Sequence, residues 1–246
     1  MDKKYAFLIA LAITILIAIN HYLSSIELSP EREIAKLSRV IDGDTIELED
    51  GRKIRLLNIN TPEKNQPNSE LAINFLKNYE NSSIELEIVG ADKYNRALAR
   101  IYVPEYLNLE LVKNGMASKF LVEDEETDVF AEAEEEAIKS SLGIWQKSQY
   151  YNCLKSRIDE INEKIIMANN CNNLNITAWT LKDESTKKYQ FKDIQIGEIT
   201  LHTGKGEDNS TDIFWNSDSR IWNNDRDTLY LFDKEWKIVH YNSYGY

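Results

Sequence analysis

The stretch from Val40 to Glu63 limits the possible fold of this chain more than any other. Two carboxylates, Asp42 and Asp44, flank Gly43 between two runs in which apolar and polar residues alternate. Alternation that is interrupted by a glycine, and followed by a second turn at 50–51, predicts strands joined as hairpins. The stretch therefore predicts a strand-rich domain that holds two carboxylates at one turn.

A second polar cluster lies at the end of the apolar run 53–60. It contains Asn60, Thr61 and Glu63, and the run itself carries a lone Arg55. A hairpin that brings this cluster near the two aspartates creates a pocket of hard oxygen ligands, which suit Ca²⁺ or Mg²⁺ rather than zinc. An arginine on a buried strand needs an anionic partner, so Arg55 predicts an anion in the same pocket.

Three later segments, taken together with this stretch, resemble the staphylococcal nuclease (thermonuclease) family. They are Asp92-Lys93-Tyr94-Asn95-Arg96, Asn108-x-x-Leu111-Val112-x-x-Gly115-x-Ala117 and Gly143-Ile144-Trp145. One such motif alone is weak evidence, whereas four in the order of the family are strong. The resemblance covers about residues 35 to 147. It implies a nuclease-like domain over 35–148, built as an OB-fold barrel with helices packed on it.

The residue pattern is compatible with that fold. Strand-like runs lie at 36–41, 45–49, 53–60, 83–89 and 97–103. Apolar residues at helical spacing predict helices near 69–79, 106–114 and 128–141. Five strands and three helices predict a mainly β domain in which helices pack against a small barrel.

The resemblance also implies a Ca²⁺ site. Asp44, the backbone carbonyl of Thr61 and the position of Asn60 would hold the ion, and Asp42 would bind it through water from the outer shell. This chain has Asn60 where the family has a second aspartate. An amide oxygen still coordinates Ca²⁺ but brings no charge, so weaker binding is expected.

For the reaction, the resemblance implies that Glu63 activates the attacking water. Arg55 and Arg96 would hold the phosphate with their planar guanidinium groups. Lys93 and Tyr94 would contact a neighbouring phosphate of the substrate. The substrate class that this set implies is DNA and RNA.

Structural alternatives exist for several of these residues. Asp42 and Asp44 could simply cap the hairpin turn, and Arg55 and Arg96 could form ion pairs with Glu63. The appearance of all the roles together and in the family's order favours the functional interpretation.

The overall charge is unfavourable for general nucleic-acid affinity, because phosphate binding requires a basic face. The formal net charge is −12. Nine acidic residues lie within 123–136, which we interpret as the solvated face of a helix. A local positive pocket is predicted from the basic residues near the proposed site, which are Arg52, Lys53, Arg55, Lys64, Lys93, Arg96 and Arg100.

Residues 1–23 combine Lys3 and Lys4 with an uncharged apolar run over 5–19. As a helix this segment is roughly 22–28 Å long, slightly short of the ~30 Å hydrocarbon core. It predicts either a transmembrane helix, which the lack of a clear cleavage site favours, or a cleaved signal peptide. The two lysines favour a cytoplasmic N-terminus. We therefore expect the chain after a spacer at 24–34 to be extracytoplasmic and anchored, or secreted after cleavage.

Residues 149–246 form a second predicted domain. Strand-like runs at 164–168, 176–181, 188–191, 198–202, 228–232 and 237–241 are separated by turn signals, as in a β-sandwich. Segments at 175–184, 201–206 and 221–231 resemble a lamin-tail domain, and the run from Trp222 to Asp227 is the most specific. This resemblance implies an immunoglobulin-like fold that binds an unknown protein or surface partner.

The chain has two cysteines, Cys153 and Cys171. In an exported chain they could form a disulfide, and the sequence leaves this pairing open. Two cysteines and three histidines, His21, His202 and His240, argue against a structural zinc site. We interpret the histidines as ordinary sheet or interface residues.

The sequence thus predicts a Ca²⁺-dependent endonuclease with a C-terminal interaction domain. The alternative is a non-catalytic surface binding or adhesion protein built on a nuclease-like barrel, which Asn60 and the acidic surface would favour. On this reasoning, Ca²⁺ binding by an Asn60→Asp variant separates the two interpretations.

Overall fold

The computed structural model describes Lys4 and residues 13–21, 31–172, 174–192 and 197–246. The chain divides into two compact units, Met1–Arg32 and Glu33–Tyr246. In the first unit, residues 13–21 are helical. Most of the predicted membrane segment 1–23 and most of the spacer 24–34 lie outside the described residues. Within the described ranges, no helix is long and apolar enough to cross a membrane.

The first part of the second unit is a closed barrel with short additional strands. Its strands are β1 (Glu33–Asp42), β2 (Thr45–Leu48), β3 (Lys53–Leu56), β4 (Ile59–Asn60), β5 (Ser83–Ala91), β6 (Ala97–Val103), β7 (Glu105–Tyr106) and β8 (Ser118–Lys119). β1 pairs with β2 and β5, β2 pairs with β3, and β5 pairs with β6. Parallel pairing of β3 with β6 closes the ring. This five-stranded barrel confirms the predicted architecture of the first domain.

The alternating apolar residues form the core of the barrel. Leu37, Ile46, Ile54, Leu86 and Ile101 come from the five barrel strands and are all fully buried. Burial of this kind is the main favourable contribution to folding, at about 25 cal/mol for each Å² of apolar surface. The alternation in the sequence therefore determines which face of each strand points inward.

The predicted strand at 53–60 is wrong in one respect, because it is two strands. Asn58 adopts a φ of +65°, which ends β3 and turns the chain into β4. Asparagine tolerates this left-handed conformation better than most residues. The turn redirects β4 away from the barrel wall to pair with β8.

The three predicted helices are present, with ends that differ by one or two residues. They are α1 (Ser69–Lys77), α2 (Leu107–Lys113) and α3 (Thr127–Lys139). Ala72 of α1 and Phe130 of α3 are fully buried against the barrel core. The interpretation of 123–136 as a solvated face is wrong at Glu134, which is only 2% exposed.

The second part of this unit contains two four-stranded sheets. Its strands are β9 (Leu154–Asp159), β10 (Lys164–Asn169), β11 (Thr180–Lys182), β12 (Lys188–Gln190), β13 (Glu198–His202), β14 (Asp212–Phe214), β15 (Asp227–Phe232) and β16 (Ile238–Tyr244). One sheet has the order β14-β13-β10-β9 and the other β12-β11-β15-β16. Ile165 and Leu201 of the first sheet share one core with Leu229 and Val239 of the second. We call Leu154–Tyr244 the two-sheet module.

Parts of this module were not predicted. β9 and the short strand β14 were missed, and the predicted run 176–181 begins only at Thr180, because Ala178 has a φ of +62° in a preceding turn. Cys153 and Cys171 form a disulfide, which answers the question that the sequence left open. The resemblance to an immunoglobulin-like lamin-tail domain stays a prediction.

The barrel and the two-sheet module pack together across a boundary with aromatic and charged contacts. The ring of Trp145 stacks on Tyr230 and Phe232, with centroid distances of 5.2 and 6.2 Å. Arg226 of the module forms an ion pair of 2.7 Å with Asp124 of the barrel. The module is therefore packed against the segments that precede and follow α3.

Candidate active site

One cleft, with a volume of about 760 Å³, contains all nine residues that the sequence assigned to catalysis, metal binding or substrate binding. It is lined by Asp42, Asp44, Arg55, Asn60, Thr61, Glu63, Lys93, Tyr94 and Arg96. They come from the β1–β2 turn, β3, β4 with the loop after it, and the β5–β6 hairpin. The barrel closure thus brings together residues that are up to 54 positions apart (96 − 42).

The β1–β2 turn holds the two aspartates. Asp42 accepts a hydrogen bond of 3.1 Å from the backbone N–H of Asp44, so it does cap the turn, as the structural alternative predicted. A Cβ atom on Gly43 would lie 2.6 Å from Oγ1 of Thr61 and 3.0 Å from Cβ of Ala72. Only glycine therefore allows the turn to approach Thr61 this closely.

The Asp44 carboxylate is buried and surrounded by donors. It accepts bonds from the hydroxyl of Thr45 at 3.1 Å and from the N–H and hydroxyl of Thr61 at 3.3 Å. Burial raises the pKa of Asp44, and the nearby Arg55 opposes that rise. Additional positive charge in the cleft would therefore stabilise the ionised form of this buried carboxylate.

Arg55 connects Asp44 to the backbone of the barrel. Its guanidinium lies 3.2 Å from the Asp44 carboxylate and donates to the carbonyls of Leu56 and Ile59, the latter at 2.8 Å. Burial lowers the pKa of this guanidinium, although Asp44 opposes the effect. These contacts fix the plane of the guanidinium at the wall of the cleft.

The β5–β6 hairpin positions Arg96 through Asp92. The Asp92 carboxylate accepts the Arg96 backbone N–H at 3.0 Å and its Nε–H at 2.7 Å. Burial alone would raise the pKa of Asp92, but the hydrogen bonds from Arg96 outweigh it and the pKa is lowered. The guanidinium also donates to the hydroxyl of Thr45 at 3.2 Å. Arg96 is therefore held beside the turn that carries Asp44.

Lys93 and Tyr94 lie at the tip of the same hairpin. Tyr94 is 69% exposed, and the ammonium group of Lys93 lies 5.0 Å from the centre of its ring. An exposed aromatic ring next to a cation can contact both a base and a phosphate of an extended nucleic-acid strand. The tip is thus free to meet a ligand that enters the cleft.

Glu63 lies in the exposed loop after β4. Its carboxylate forms no hydrogen bond or ion pair within the described part of the chain. The alternative in which Arg55 and Arg96 pair with Glu63 is wrong, since their partners are Asp44 and Asp92. The glutamate is left with its proton-accepting oxygens available on the rim of the cleft.

Asn60 is buried at the end of β4 and points its amide nitrogen at the two-sheet module. Nδ2 donates to the backbone carbonyls of Glu184 and Ser185, each at 3.2 Å. The hydroxyl of Ser118 on β8 donates to the Asn60 carbonyl at 3.2 Å. Both its main chain and its side chain are therefore held in place.

The donor set at this end of the cleft consists of oxygen atoms. Asp42, Asp44, Asn60 and Thr61 all line the cleft, and they can offer carboxylate, amide and carbonyl oxygens. Across the described ranges, no group of three or more His, Cys, Asp or Glu could hold a metal ion. Two carboxylates with neutral oxygens fit a weakly held hard cation such as Ca²⁺ better than zinc.

The predicted positive pocket is smaller than the sequence suggested. Of the seven basic residues proposed for it, Arg55, Lys93 and Arg96 line the cleft. Arg100 is instead held by Glu87, Glu123 and Glu126 in ion pairs on the barrel. Arg52 pairs with Glu33 and Asp50 at exposed positions, and neither Lys53 nor Lys64 lines the cleft.

Two contributions to the cleft were missed by sequence reasoning. Asp92 aligns Arg96, and the separation of four residues between an acid and a base in one hairpin could have suggested this. Ser185 and Thr186 of the two-sheet module also line the cleft. Their sequence carries no local signal of it, because the contact depends on how the module packs on the barrel.

A family model of staphylococcal nuclease homologues matches residues 53–147 of this chain. The matched segment runs from β3 to the residues just before the two-sheet module. It contains Arg55, Asn60, Glu63 and the β5–β6 hairpin, while Asp42 and Asp44 precede it.

Curated relatives align with a similar share of the chain. This chain is 31% identical over 115 residues to an uncharacterized endonuclease of Escherichia coli O157:H7, and the alignment covers 45% of this chain and 75% of that protein. It is 33% identical over 125 residues to the thermonuclease of Staphylococcus hyicus, covering 45% and 74%. It is 38% identical over 131 residues to the endonuclease YncB of Bacillus subtilis, covering 46% and 62%.

Proposed function

The chain belongs to the staphylococcal nuclease homologue family, and we propose that it is a Ca²⁺-dependent nuclease that hydrolyses the phosphodiester bonds of DNA and RNA. The observation that carries the proposal is one cleft shared by two aspartates, two arginines and a glutamate that forms no ion pair with the described residues. The endonuclease and thermonuclease names of the relatives support a nucleic-acid substrate.

In this proposal Asp44, the amide oxygen of Asn60 and the carbonyl of Thr61 hold the cation, and Asp42 reaches it through water. A bound divalent cation offsets the negative charge of the non-bridging phosphate oxygens. The low number of ligand charges predicts an affinity that suits extracellular rather than cytosolic Ca²⁺ concentrations.

The chain's own residues supply the rest of the chemistry. Glu63 accepts a proton from the attacking water, whose oxygen bonds to phosphorus while the bond to the 5′ oxygen breaks. The products are a 3′-phosphate and a 5′-hydroxyl, which takes up a proton. Arg55 and Arg96 donate to the phosphate oxygens, on which charge increases in the transition state. Lys93 and Tyr94 contact the adjoining nucleotide.

A cleavage assay tests this proposal. The full chain is incubated with a labelled single-stranded DNA and RNA, with millimolar Ca²⁺ or with a chelator. We expect cleavage only with Ca²⁺, and a loss of about 10²–10⁴-fold in kcat for Glu63→Gln, which removes the base but keeps its shape. Glu70→Gln is the control, because Glu70 is also exposed and begins α1 outside the cleft.

The outcomes separate the two interpretations of the barrel. Equal cleavage by wild type and E63Q would remove Glu63 from the proposed role. No cleavage by wild type with Ca²⁺, under conditions where the chain binds the same oligonucleotide, would favour the non-catalytic binding protein instead.

We also infer that the protein acts outside the cytoplasm, anchored by its N-terminal segment. The Cys153–Cys171 disulfide supports this location, because disulfides persist in oxidising compartments and are rare in the cytosol. The two-sheet module would then hold the enzyme near a surface or partner. Fractionation of cells tests the inference, and recovery of the chain in the cytosol with reduced cysteines would contradict it.

A further inference from the structure

The side chain of Asn60 makes direct contact between the candidate cation site and the two-sheet module. Its Nδ2 donates to the carbonyls of Glu184 and Ser185, both at 3.2 Å. We call residues 183–187, which join β11 to β12, the clamp turn. The clamp turn also supplies Ser185 and Thr186 to the wall of the cleft.

These two bonds determine which atom of the amide faces the clamp turn. The amide nitrogen carries two protons, and only a donor can match two carbonyl oxygens. The amide oxygen is therefore the atom that the clamp turn leaves unengaged, and Asn60 lines the same cleft as Asp44 and Thr61 as well as a smaller neighbouring cavity. An aspartate at residue 60 would place a carboxylate oxygen next to the carbonyl oxygens of Glu184 and Ser185. No proton would lie between these oxygens, so they would repel each other.

The clamp turn is itself anchored in a buried network. Glu184 is 2% exposed, and its carboxylate accepts bonds from the hydroxyls of Thr228 at 2.7 Å and Tyr246 at 2.6 Å. The ammonium group of Lys119, on β8 of the barrel, lies 3.2 Å from the same carboxylate. Since β8 pairs with β4, the network holds the clamp turn against the strand that ends at Asn60.

We propose that the clamp turn is a positioning element of the nuclease site, which fixes the Asn60 amide so that its oxygen completes the cation-binding end of the cleft. The identity of the cation rests on the proposed function, whereas the contact with the clamp turn does not. The two-sheet module is then a part of the active site. An added negative charge at residue 60 weakens the site, contrary to the expectation from ligand charge alone.

The first test is thermal unfolding of the full chain in a chelator, for Asn60→Asp, Asn60→Ala and the control Asn114→Asp. Asn114 is exposed, and its Nδ2 donates to the carbonyl of Glu110 at 2.8 Å, so N114D makes the same change away from the clamp turn. We expect the Tm to fall by about 4–10 °C for N60D, less for N60A, and little for N114D. A wild-type Tm for N60D would overturn the proposal.

The second test is calorimetric titration of the same proteins with CaCl₂. We expect N60D to bind Ca²⁺ about tenfold or more weakly than wild type, because the new carboxylate disturbs the contact that orders the site. Tighter binding by N60D would overturn the proposal. If wild type binds no Ca²⁺, the metal assignment of the proposed function fails, while the measurements in chelator still decide whether the clamp turn holds Asn60.

A third test acts on the anchor of the clamp turn without changing the cleft. Thr228→Val keeps the side-chain shape but removes the hydroxyl that donates to Glu184 and that also contacts Lys119 at 2.6 Å and Ser243 at 2.7 Å. Thr203→Val is the control, because the Thr203 hydroxyl is also buried in the module but has no hydrogen-bond partner among the described residues. We expect T228V to weaken Ca²⁺ binding about five- to tenfold and T203V to leave it unchanged. Equal binding by T228V and wild type, both folded, would contradict the coupling.

Discussion

The ammonium group of Lys119 lies 2.8 Å from the carboxylate of Glu134, and both side chains are almost fully buried between the barrel and the two-sheet module. Burial by itself lowers the pKa of Lys119, but Glu134 and Glu184 outweigh it, so the pKa is raised. The hydroxyl of Tyr230 donates to the same Glu134 carboxylate at 2.8 Å. The boundary therefore contains a connected ionic network, and removal of its lysine should lower the free energy of unfolding.

Lys119→Met is expected to lower the free energy of unfolding by about 3–5 kcal/mol, because it leaves buried carboxylates without their cation. Lys139→Met is the control. Lys139 pairs with Glu135 and Glu136 at exposed positions, so its loss should change the free energy of unfolding very little. Urea denaturation at pH 7 measures both. A K119M protein as stable as K139M would mean that water enters the boundary and compensates the carboxylates.

Arg96→Lys is expected to lower the cleavage rate by about 10²–10³-fold with little change in Tm, because a lysine cannot present two parallel donors to a phosphate. Arg52→Lys is the matched control. Arg52 donates Nε–H to Asp50 at 2.7 Å, the same geometry as Arg96 with Asp92, but it lies outside the cleft. Steady-state kinetics with a saturating oligonucleotide measures the effect. Similar rates for R96K and R52K would exclude Arg96 from the reaction.

Much of the site could be predicted because its residues lie in two short segments with distinctive local patterns. The partner of Arg55 could not, since it depends on strand register. Thr45 of β2 lies opposite Arg55 of β3, which places the guanidinium next to Asp44 instead of Glu63. A shift of register in this hairpin would change the partner, and the alternation of apolar residues alone does not specify that partner.

The role of the two-sheet module was beyond sequence reasoning for a different reason. Asn60 and Glu184 are 124 positions apart, and their contact joins a side chain to a backbone carbonyl. Every residue type has a backbone carbonyl, so the residue type at position 184 does not indicate this contact. The sequence offered only the absence of an aspartate at residue 60, which suggested a weakened site. The structure gives that asparagine a partner that an aspartate could not have.

Gly43→Ala is expected to reduce both stability and cleavage. The new Cβ would lie 2.6 Å from Oγ1 of Thr61, so the turn that carries Asp42 and Asp44 must move. Overpacking of this kind costs about 1–3 kcal/mol, and a shift of about 1 Å at a catalytic group costs about a hundredfold in rate. Gly90→Ala is the control, since its Cβ would meet nothing within 4 Å. Equal rates for G43A and G90A would show that the turn tolerates displacement.

We expect a fall in pH to destabilise the folded chain through His240. Burial lowers the pKa of His240 from 6.5 to about 4, so the unfolded chain binds a proton in this range that the folded chain does not. The free energy of unfolding should therefore fall as the pH drops from about 6.5 to about 4, by about 3 kcal/mol from this residue.

His240→Gln, whose amide can still bond the Ser156 hydroxyl that His240 contacts at 2.9 Å, removes that part of the loss. His202→Gln retains it, because His240 is still present. Urea denaturation at pH 7 and pH 4.5 measures the difference for each variant, and carboxylate effects common to wild type and H240Q cancel. An identical loss in H240Q and wild type would mean that the pKa of His240 is the same in the folded and unfolded chains.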